Sequence, residues 1–299
     1  MKLSLIIASY NRAESLLKFL QELARQVVPD CVEWEVLIVD NNSTDGTKTA
    51  VAPFIQSMPN RYKYLFESRQ GKSIALNTGV RSAAGEILVF TDDDCLPDPN
   101  WLATIAREFA SDLSLSVLGG RVELFDRQDR PITIRSFPER TLIDSRDQLF
   151  LFLIGANMSI RRRALEAVGQ FDPFLGPGSP PGAVMEDLDL LYRIFREKFK
   201  IVYSPDVLVY HNHGRTTDAE IQALNRRYVV GRGAFYCKHI FWGDKNVSKM
   251  AYWEISSLLK KMLKNFLSGK KIQEQGSILW ALLAGAGGRL LWNPWIRKI

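Results

Sequence analysis

Four apolar residues, Ile87-Leu88-Val89-Phe90, run directly into Thr91 and three consecutive carboxylates, Asp92, Asp93 and Asp94. The run has the length of a buried strand. Pro97 and Pro99 then keep the strand from continuing, and Trp101-Leu102 opens a helical pattern. Carboxylates gathered at the carboxyl end of a buried parallel strand sit where open α/β sheets bind ligands. Three like charges there repel one another unless a cation is shared, and hard ions such as Mg²⁺ or Mn²⁺ take oxygen ligands and bridge to phosphates. A solvated acidic turn accounts for the same residues, so the rest of the chain has to decide.

The chain ahead of this strand alternates regularly. Leu3 to Ala8 reads as a buried strand, followed by Ser9-Tyr10-Asn11-Arg12. Leu16, Leu17, Leu20, Leu23 and Ala24 have the spacing of an amphipathic helix. A strand at Glu35–Val39 ends in Asp40 and the turn Asn41-Asn42-Ser43-Thr44-Asp45-Gly46. A helix near Thr47–Ser57, a short strand at Tyr62–Phe66 and a helix at Gly71–Ala84 follow. This βαβ alternation implies a parallel sheet wound right-handedly. Downstream, Leu118–Glu123 reads as a strand and Phe125–Arg146 as a polar excursion. Phe150–Ile160 is apolar, and a helix over Arg161–Val168 stops at Gly169. A strand pair, Ile201–Tyr203 and Val207–Tyr210, leads to His211-Asn212-His213-Gly214-Arg215.

Two phosphate cradles are excluded. Gly71-Lys72-Ser73 resembles the end of a P-loop, but Phe66 stands where its first glycine belongs, and Ser9–Glu14 contains no glycine for a dinucleotide fingerprint. Other polar residues fall at suggestive places. Asp40 ends a strand and can accept hydrogen bonds from a base or ribose; an Asx turn or helix cap explains it as well. Glu186-Asp187 opens a helix after the loop Gly176-Pro177-Gly178-Ser179-Pro180-Pro181-Gly182. The pair reads either as dipole-favoured capping or as a general base beside a closing loop, Asp187 taking a proton from a hydroxyl. His211 and His213 read as structural histidines or as ligands beside an acidic metal site, and Arg215 as a phosphate clamp.

The net charge of +6 sits in the tail: from Lys260 to Ile299 there are eight Lys or Arg against Glu274, so the preceding residues are close to neutral. That asymmetry points to a membrane surface and away from nucleic acid. Ile255, Leu258, Leu259, Met262, Leu263, Phe266 and Leu267 recur at helical spacing opposite Lys260, Lys261 and Lys264, as in an interfacial helix or one packed on its own domain. Gln275–Gly288 is uncharged but too short to span a bilayer, and Trp280, Trp292 and Trp295 are the aromatics of an interface. Cys31, Cys95 and Cys237 are odd in number and scattered, and the chain enters strand-like sequence at once. Both features predict a cytoplasmic protein, which the tail would place peripherally on the membrane's cytoplasmic face.

Taken in order, these segments resemble a family 2 glycosyltransferase with the GT-A fold, over roughly Leu3–His213. Ile6–Arg12 is similar to the family's first strand and turn, with Ala8 for the usual proline. Val39–Gly46 is similar to its nucleotide-recognition turn, with Asn41 where a second Asp is common. Gly71, Ala75, Asn77 and Gly79 match the helix before the metal strand. Thr91–Asp94 resembles the DxD motif, registered as Asp92 and Asp94. Gly155-Ala156-Asn157 and Phe171-Asp172 match the acceptor-side segment, and Glu186-Asp187 the pair whose aspartate is the catalytic base. His211 or His213 falls where some members place a further metal ligand or diphosphate contact.

The resemblance implies an α/β catalytic domain over 1–222, a Rossmann-like mixed sheet flanked by helices. Its nucleotide half covers about 1–100 and its acceptor half about 101–222, and a basic helical extension follows over 223–299. It implies inverting transfer from a nucleotide-diphosphate-sugar to a hydroxyl of a carbohydrate or lipid-linked acceptor, with Mn²⁺ or Mg²⁺, in cell-surface polysaccharide or glycolipid assembly. Asp187 with Glu186 would be catalytic. Ser9, Tyr10, Asn11, Asp40, Lys72, Asp92 and Asp93 would hold the donor, and Asp92, Asp94 and His211 or His213 the metal. A sugar nucleotidyltransferase would need a Gly-rich, Arg-containing loop after the first strand, which Ser9–Glu14 does not supply. A catalytically silent membrane scaffold is disfavoured by intact Asp92, Asp94 and Asp187.

Overall fold

The computed structural model describes residues 1–179 and 182–291. The chain divides into two units, residues 1–172 with 187–217, and residues 173–186 with 218–299.

The first unit is built on a nine-stranded mixed sheet. β1 (Lys2–Ser9), β2 (Glu33–Asp40), β3 (Tyr62–Phe66) and β4 (Ile87–Thr91) are connected by α1 (Ala13–Leu23), α2 (Thr47–Ser57) and α3 (Lys72–Ser82). β1 pairs in parallel with both β2 and β4, and β2 with β3, so the predicted βαβ winding is present. Its cause is visible in burial: Leu3, Leu5, Ile7, Val36, Ile38, Ile87 and Val89 pack with Leu16, Phe19, Leu20 and Leu23, the apolar stripe of α1.

The second half makes the sheet mixed, as the family resemblance implies. β5 (Cys95–Pro97), α4 (Trp101–Ser111), β6 (Leu115–Leu124), β7 (Thr141–Leu142), α5 (Arg146–Phe152), β8 (Asn157–Arg161), α6 (Arg162–Val168), α7 (Glu186–Arg196) and β9 (Lys200–His211) follow in the chain. The sheet order is β3-β2-β1-β4-β8-β6-β9-β5, with β7 on β9. β8 runs antiparallel between β4 and β6. The apolar stretch Phe150–Ile160 is therefore the end of α5 and most of β8, two elements and not one. β4 stops at Thr91, and the separate three-residue β5 ends at Pro97, paired with β9, so strand structure does not continue past the prolines. The expected pair at 201–210 is one strand whose register against β6 jumps between Gly120↔Ser204 and Arg121↔Leu208. That irregularity, a bulge, accommodates Pro205 without breaking the strand.

Two buried carboxylates lock the nucleotide-half edge. Glu35 accepts from the Ser4 hydroxyl, the Ala84 N–H and Lys63, each at 2.7 Å. Glu67 accepts from the backbone N–H, Nε and a terminal nitrogen of Arg69 and from the Thr78 hydroxyl. The Arg69 hydrogen bonds bring Glu67 from 4.5 down to about 2. A depressed carboxylate stabilises the fold above its unfolded pKa and loses that contribution as pH falls toward the folded one. The stability advantage of the native chain over Glu67→Gln is thus expected to be complete at neutral pH and to shrink steadily below about pH 4.5. Denaturant midpoints of both proteins between pH 7 and pH 3 check it; a constant difference contradicts it.

The second unit contains α8 (Asp218–Phe241), α9 (Lys245–Leu267) and α10 (Gln273–Leu291). α8 and α10 touch backbone to backbone. A Cβ on Gly233 would collide with the Leu282 carbonyl oxygen, and one on Gly285 with that of Val230. Asp244 caps α9 by accepting from the Asn246 and Val247 N–H groups, and Glu254 ties α9 to α8 through Arg232 and Tyr236.

The apolar residues of α9 do not form one stripe. Val247 and Ala251 are buried and Ile255, Leu258 and Met262 half-buried, whereas Tyr252, Leu259, Leu263, Phe266 and Leu267 are exposed. Lys260 and Lys264 follow Leu259 and Leu263 by one position, so they flank the exposed stripe, not oppose it. Among the described residues, no helix is long and apolar enough to cross a membrane. Trp292 and Trp295 lie outside the described residues.

Candidate active site

The carboxyl ends of β1, β2 and β4 bring the first set of predicted residues together. Asp40 is buried, and one carboxylate oxygen accepts the Ser43 N–H at 2.8 Å, while the other accepts the Tyr64 hydroxyl at 2.6 Å. Burial, then the neighbouring Asp40 carboxylate, hold the Tyr64 phenol protonated well above its ordinary range. The Asx-type turn is thus real, and its carboxylate lies at the strand end. Asn11, at φ 51°, stitches the two turns: its side-chain oxygen accepts from Thr44 N–H at 2.7 Å, and its own N–H donates to the Ser43 hydroxyl at 3.0 Å. Asparagine tolerates this left-handed backbone better than most residues. Tyr10, beside it, is 48% exposed, a free aromatic face at the strand end.

The three carboxylates of the triplet have three different environments. Asp92 is partly exposed and paired with Lys72 Nζ at 2.5 Å. Asp93 turns inward, accepting the Ser9 hydroxyl at 2.7 Å and Arg12 at 3.1 Å. Asp94 meets the same Arg12 nitrogen at 2.6 Å. Burial pushes Asp93 up to about 6, with Arg12 opposing and Asp94 adding to the rise. Burial also acts to raise Asp94, but His211 and Arg12 outweigh it and hold that carboxylate well below the usual range.

The pairing of β5 with β9 explains why Asp94 meets a histidine over a hundred residues away. Cys95 is opposite His211 in that antiparallel register, and the Asn212 N–H donates to the Asp94 carbonyl at 2.8 Å. His211 Nε2 consequently lies 3.3 Å from Asp94 Oδ1, with both side chains buried. Asp94, Cys95 and His211 form the group among the described residues whose ligand atoms all lie within 4.8 Å of one another. Asp92 does not join it. His213 does not either: its Nδ1 accepts the Arg215 N–H at 3.0 Å and lies 3.4 Å from Asp129.

Asp94 and His211 fit a divalent cation on geometry. Two neighbouring ligands of an octahedral ion with bonds of about 2.1 Å lie about 3 Å apart, close to the separation seen. Cys95 fits poorly, because burial pushes its thiol well up, and a protonated sulfur is no ligand for a hard ion.

Asp187, at the second position of α7, accepts the Gly155 N–H at 2.6 Å and the Leu188 N–H at 2.8 Å, one on each oxygen. The approach of Gly155 depends on its missing side chain, since a Cβ there would stand 2.9 Å from the Asp187 carboxylate. Asn157, matched to the acceptor segment, is instead a buried clamp. It accepts from the Trp101 indole at 3.0 Å and donates to the carbonyls of Arg121 and Val207. Asn77 likewise exchanges two hydrogen bonds with the Phe171 backbone. Glu186 is buried at the first position of α7.

Sequence reasoning gave Arg12 no role, although its one nitrogen bridges Asp93 and Asp94. Its place in the turn after the first strand was the available signal. Thr133, whose hydroxyl lies 2.9 Å from His211 Nδ1, carried none, because it sits in the polar excursion.

Known proteins resemble the chain over most of its length. The family model described as Glycosyl transferase family 2 matches residues 4–169, and that described as Glycosyl transferase family group 2 matches residues 87–293. The chain is 28% identical to glycosyltransferase AglE of Haloferax volcanii over 77% of its own length and 72% of the relative's. Three other curated relatives are matched over 55 to 64% of their lengths. Among solved structures, a mannosyltransferase from Pyrobaculum calidifontis in complex with GDP-Man and Mn²⁺ superposes with a TM-score of 0.65 at 21% identity, covering 98% of this chain and 87% of that one. S. aureus TarS in complex with UDP-GlcNAc gives 0.59 at 18% identity, covering 97% and 89%. The fold shared with both is GT-A.

Proposed function

Since the chain belongs to glycosyl transferase family 2, we propose that this glycosyltransferase moves a sugar from a nucleotide-diphosphate-sugar to an acceptor hydroxyl with inversion, assisted by a divalent cation held at Asp94 and His211. One observation carries the reading: the Asp94 carboxylate and His211 Nε2 converge at 3.3 Å in a buried position, fixed by the β5–β9 register. Mn²⁺ or Mg²⁺ bound there would supply Lewis-acid stabilisation of the diphosphate as it leaves. The structural relatives in complex with GDP-Man and Mn²⁺ or with UDP-GlcNAc support a nucleotide-sugar donor.

The chain's own groups do the rest of the work. Ser9, Tyr10, Asn11 and Asp40 line the nucleoside side, with Tyr10 offering an exposed ring for base stacking. Asp93 reaches the donor only through Ser9 and Arg12, both of which it holds. Lys72 is steered toward the phosphates by its pairing with Asp92. Asp187 takes the proton of the attacking hydroxyl; Gly155 and the start of α7 fix its carboxylate in one orientation, and Glu186 precedes it as the first residue of the helix. A panel of nucleotide-sugars incubated with Mn²⁺ or with chelator tests the reading. One donor, or a few sharing a base, should be hydrolysed slowly with Mn²⁺ and not with chelator. Metal-independent turnover, or none with any donor, would overturn it.

The acceptor is carbohydrate or lipid-linked, and the second unit supports delivery from a membrane surface on the cytoplasmic face, in polysaccharide or glycolipid assembly. Tyr252, Leu259, Leu263 and Phe266 expose a stripe flanked by Lys249, Lys260 and Lys264, the arrangement of an interfacial helix. Because Leu263 and Phe266 are 60% and 70% exposed, charging them does not disturb a core. The pair Leu263→Glu and Phe266→Glu should weaken sedimentation with anionic phosphatidylglycerol vesicles by more than about tenfold, from the lost burial of two large side chains. Equal sedimentation of native and doubly substituted protein would exclude this face.

A further inference from the structure

We propose that Thr133 is a positioning residue which fixes the tautomer of His211, so that the imidazole presents the lone pair of Nε2, not a proton, toward Asp94. The inference rests on the metal reading for its purpose, and on hydrogen-bond bookkeeping for its content.

A threonine hydroxyl has one proton. Thr133 Oγ1 lies 2.5 Å from the Ile132 carbonyl oxygen, which can only accept, and 2.9 Å from His211 Nδ1. With its proton given to that carbonyl, the hydroxyl can only accept from the ring, so Nδ1 carries a hydrogen. In the neutral imidazole Nε2 is then unprotonated, and it lies 3.3 Å from Asp94 Oδ1. In this neutral form the two acceptor atoms repel one another unless a positive centre lies between them, whereas the doubly protonated ring that helps hold the Asp94 carboxylate down would donate to it. An imidazole set to donate through Nε2 would satisfy Asp94 by itself; this one is set to share a cation with it. Histidine ligands of metals are generally oriented through their other ring nitrogen in this way.

The placement of Thr133 is costly, which argues that it is held for a reason. Its φ is 61°, a left-handed backbone that β-branched residues rarely adopt. The loop imposing it is tied at several points. Val122 and Arg135 exchange both backbone hydrogen bonds, at 3.0 and 2.9 Å, and the Phe125 N–H donates to the His211 carbonyl at 3.1 Å. The Arg130 N–H donates to the Arg215 carbonyl at 2.8 Å, and Asp129 accepts the Gly214 N–H at 2.9 Å. The excursion after β6 is thereby stitched to the chain on both sides of His211.

The chain has three histidines, so nitrogen-15 labelling of histidine gives a spectrum that single substitutions can assign. The full chain is compared with Thr133→Val, which keeps the branched shape without the hydroxyl, and Thr133→Ser, which keeps the hydroxyl. In metal-free native protein and Thr133→Ser, the neutral His211 ring should be protonated at Nδ1. Thr133→Val should show a mixture or the Nε2-protonated form. Mn²⁺ affinity, read by electron paramagnetic resonance, should fall about tenfold or more in Thr133→Val and recover in Thr133→Ser. His211 protonated at Nε2 in the native protein, or Thr133→Val unchanged in tautomer, would overturn the proposal. The Nδ1-protonated form in a native protein that binds no Mn²⁺ upholds the assignment of the tautomer and removes the metal reading alone.

Discussion

Replacing Asp187 with asparagine is expected to lower the turnover number by about 10²- to 10⁴-fold, the range over which a general base acts, while the donor's dissociation constant stays within about threefold. The side chain keeps its shape, and its remaining oxygen can still accept one of the two N–H groups that now fix the carboxylate, from Gly155 and Leu188. Its amide nitrogen must then face the other, donor against donor. A loss of stability of about 1 kcal/mol follows from that mismatch. A purely structural Asp187 predicts the stability loss with turnover nearly intact. Steady-state kinetics, donor titration and a denaturation curve on the same preparation separate the two.

The second large effect belongs to Asp94. Asparagine there should weaken Mn²⁺ binding by about 100-fold or more, removing a charged ligand worth several kcal/mol, and should lower kcat/KM at least in proportion. Chelation of the native enzyme should produce the same loss and added Mn²⁺ should reverse it, whereas Asp94→Asn should not be rescued at the same concentration. Asp92→Asn makes the contrast. Asp92 is paired with Lys72 and stands apart from the Asp94–His211 pair, so its loss should raise the donor's KM through a loosened Lys72 and leave Mn²⁺ affinity within about threefold. If Asp92→Asn weakens metal binding as much as Asp94→Asn, the ligand set is the one the DxD spacing suggests.

These contrasts follow the line between what is legible in the sequence and what is not. The βαβ half was readable because each strand is an apolar run closed by polar turn residues, and each helix carries a stripe that must be buried. The second half resisted because its decisive pairings are non-local. A three-residue strand such as Cys95–Pro97 has no periodicity to detect, and the bulge in Lys200–His211 makes one strand look like two. The site divides the same way. Asp40, the acidic triplet and Asp187 announce themselves at element ends, where side-chain chemistry is exposed to ligands. The choice between His211 and His213 depends on strand register, and the placement of Thr133 depends on how a polar loop folds back. Asn157 and Asn77 match motif positions yet serve as buried clamps, because an asparagine that satisfies backbone groups is indistinguishable in sequence from one that meets a ligand.

The anomeric configuration of the first-formed product tests the central claim most directly. With a donor identified by the nucleotide-sugar panel, proton NMR recorded during turnover distinguishes the two anomers before they equilibrate. Direct displacement, with Asp187 as base and a hydroxyl attacking opposite the departing diphosphate, predicts a product of configuration opposite to that of the donor. Retention of the donor's configuration would contradict the mechanism.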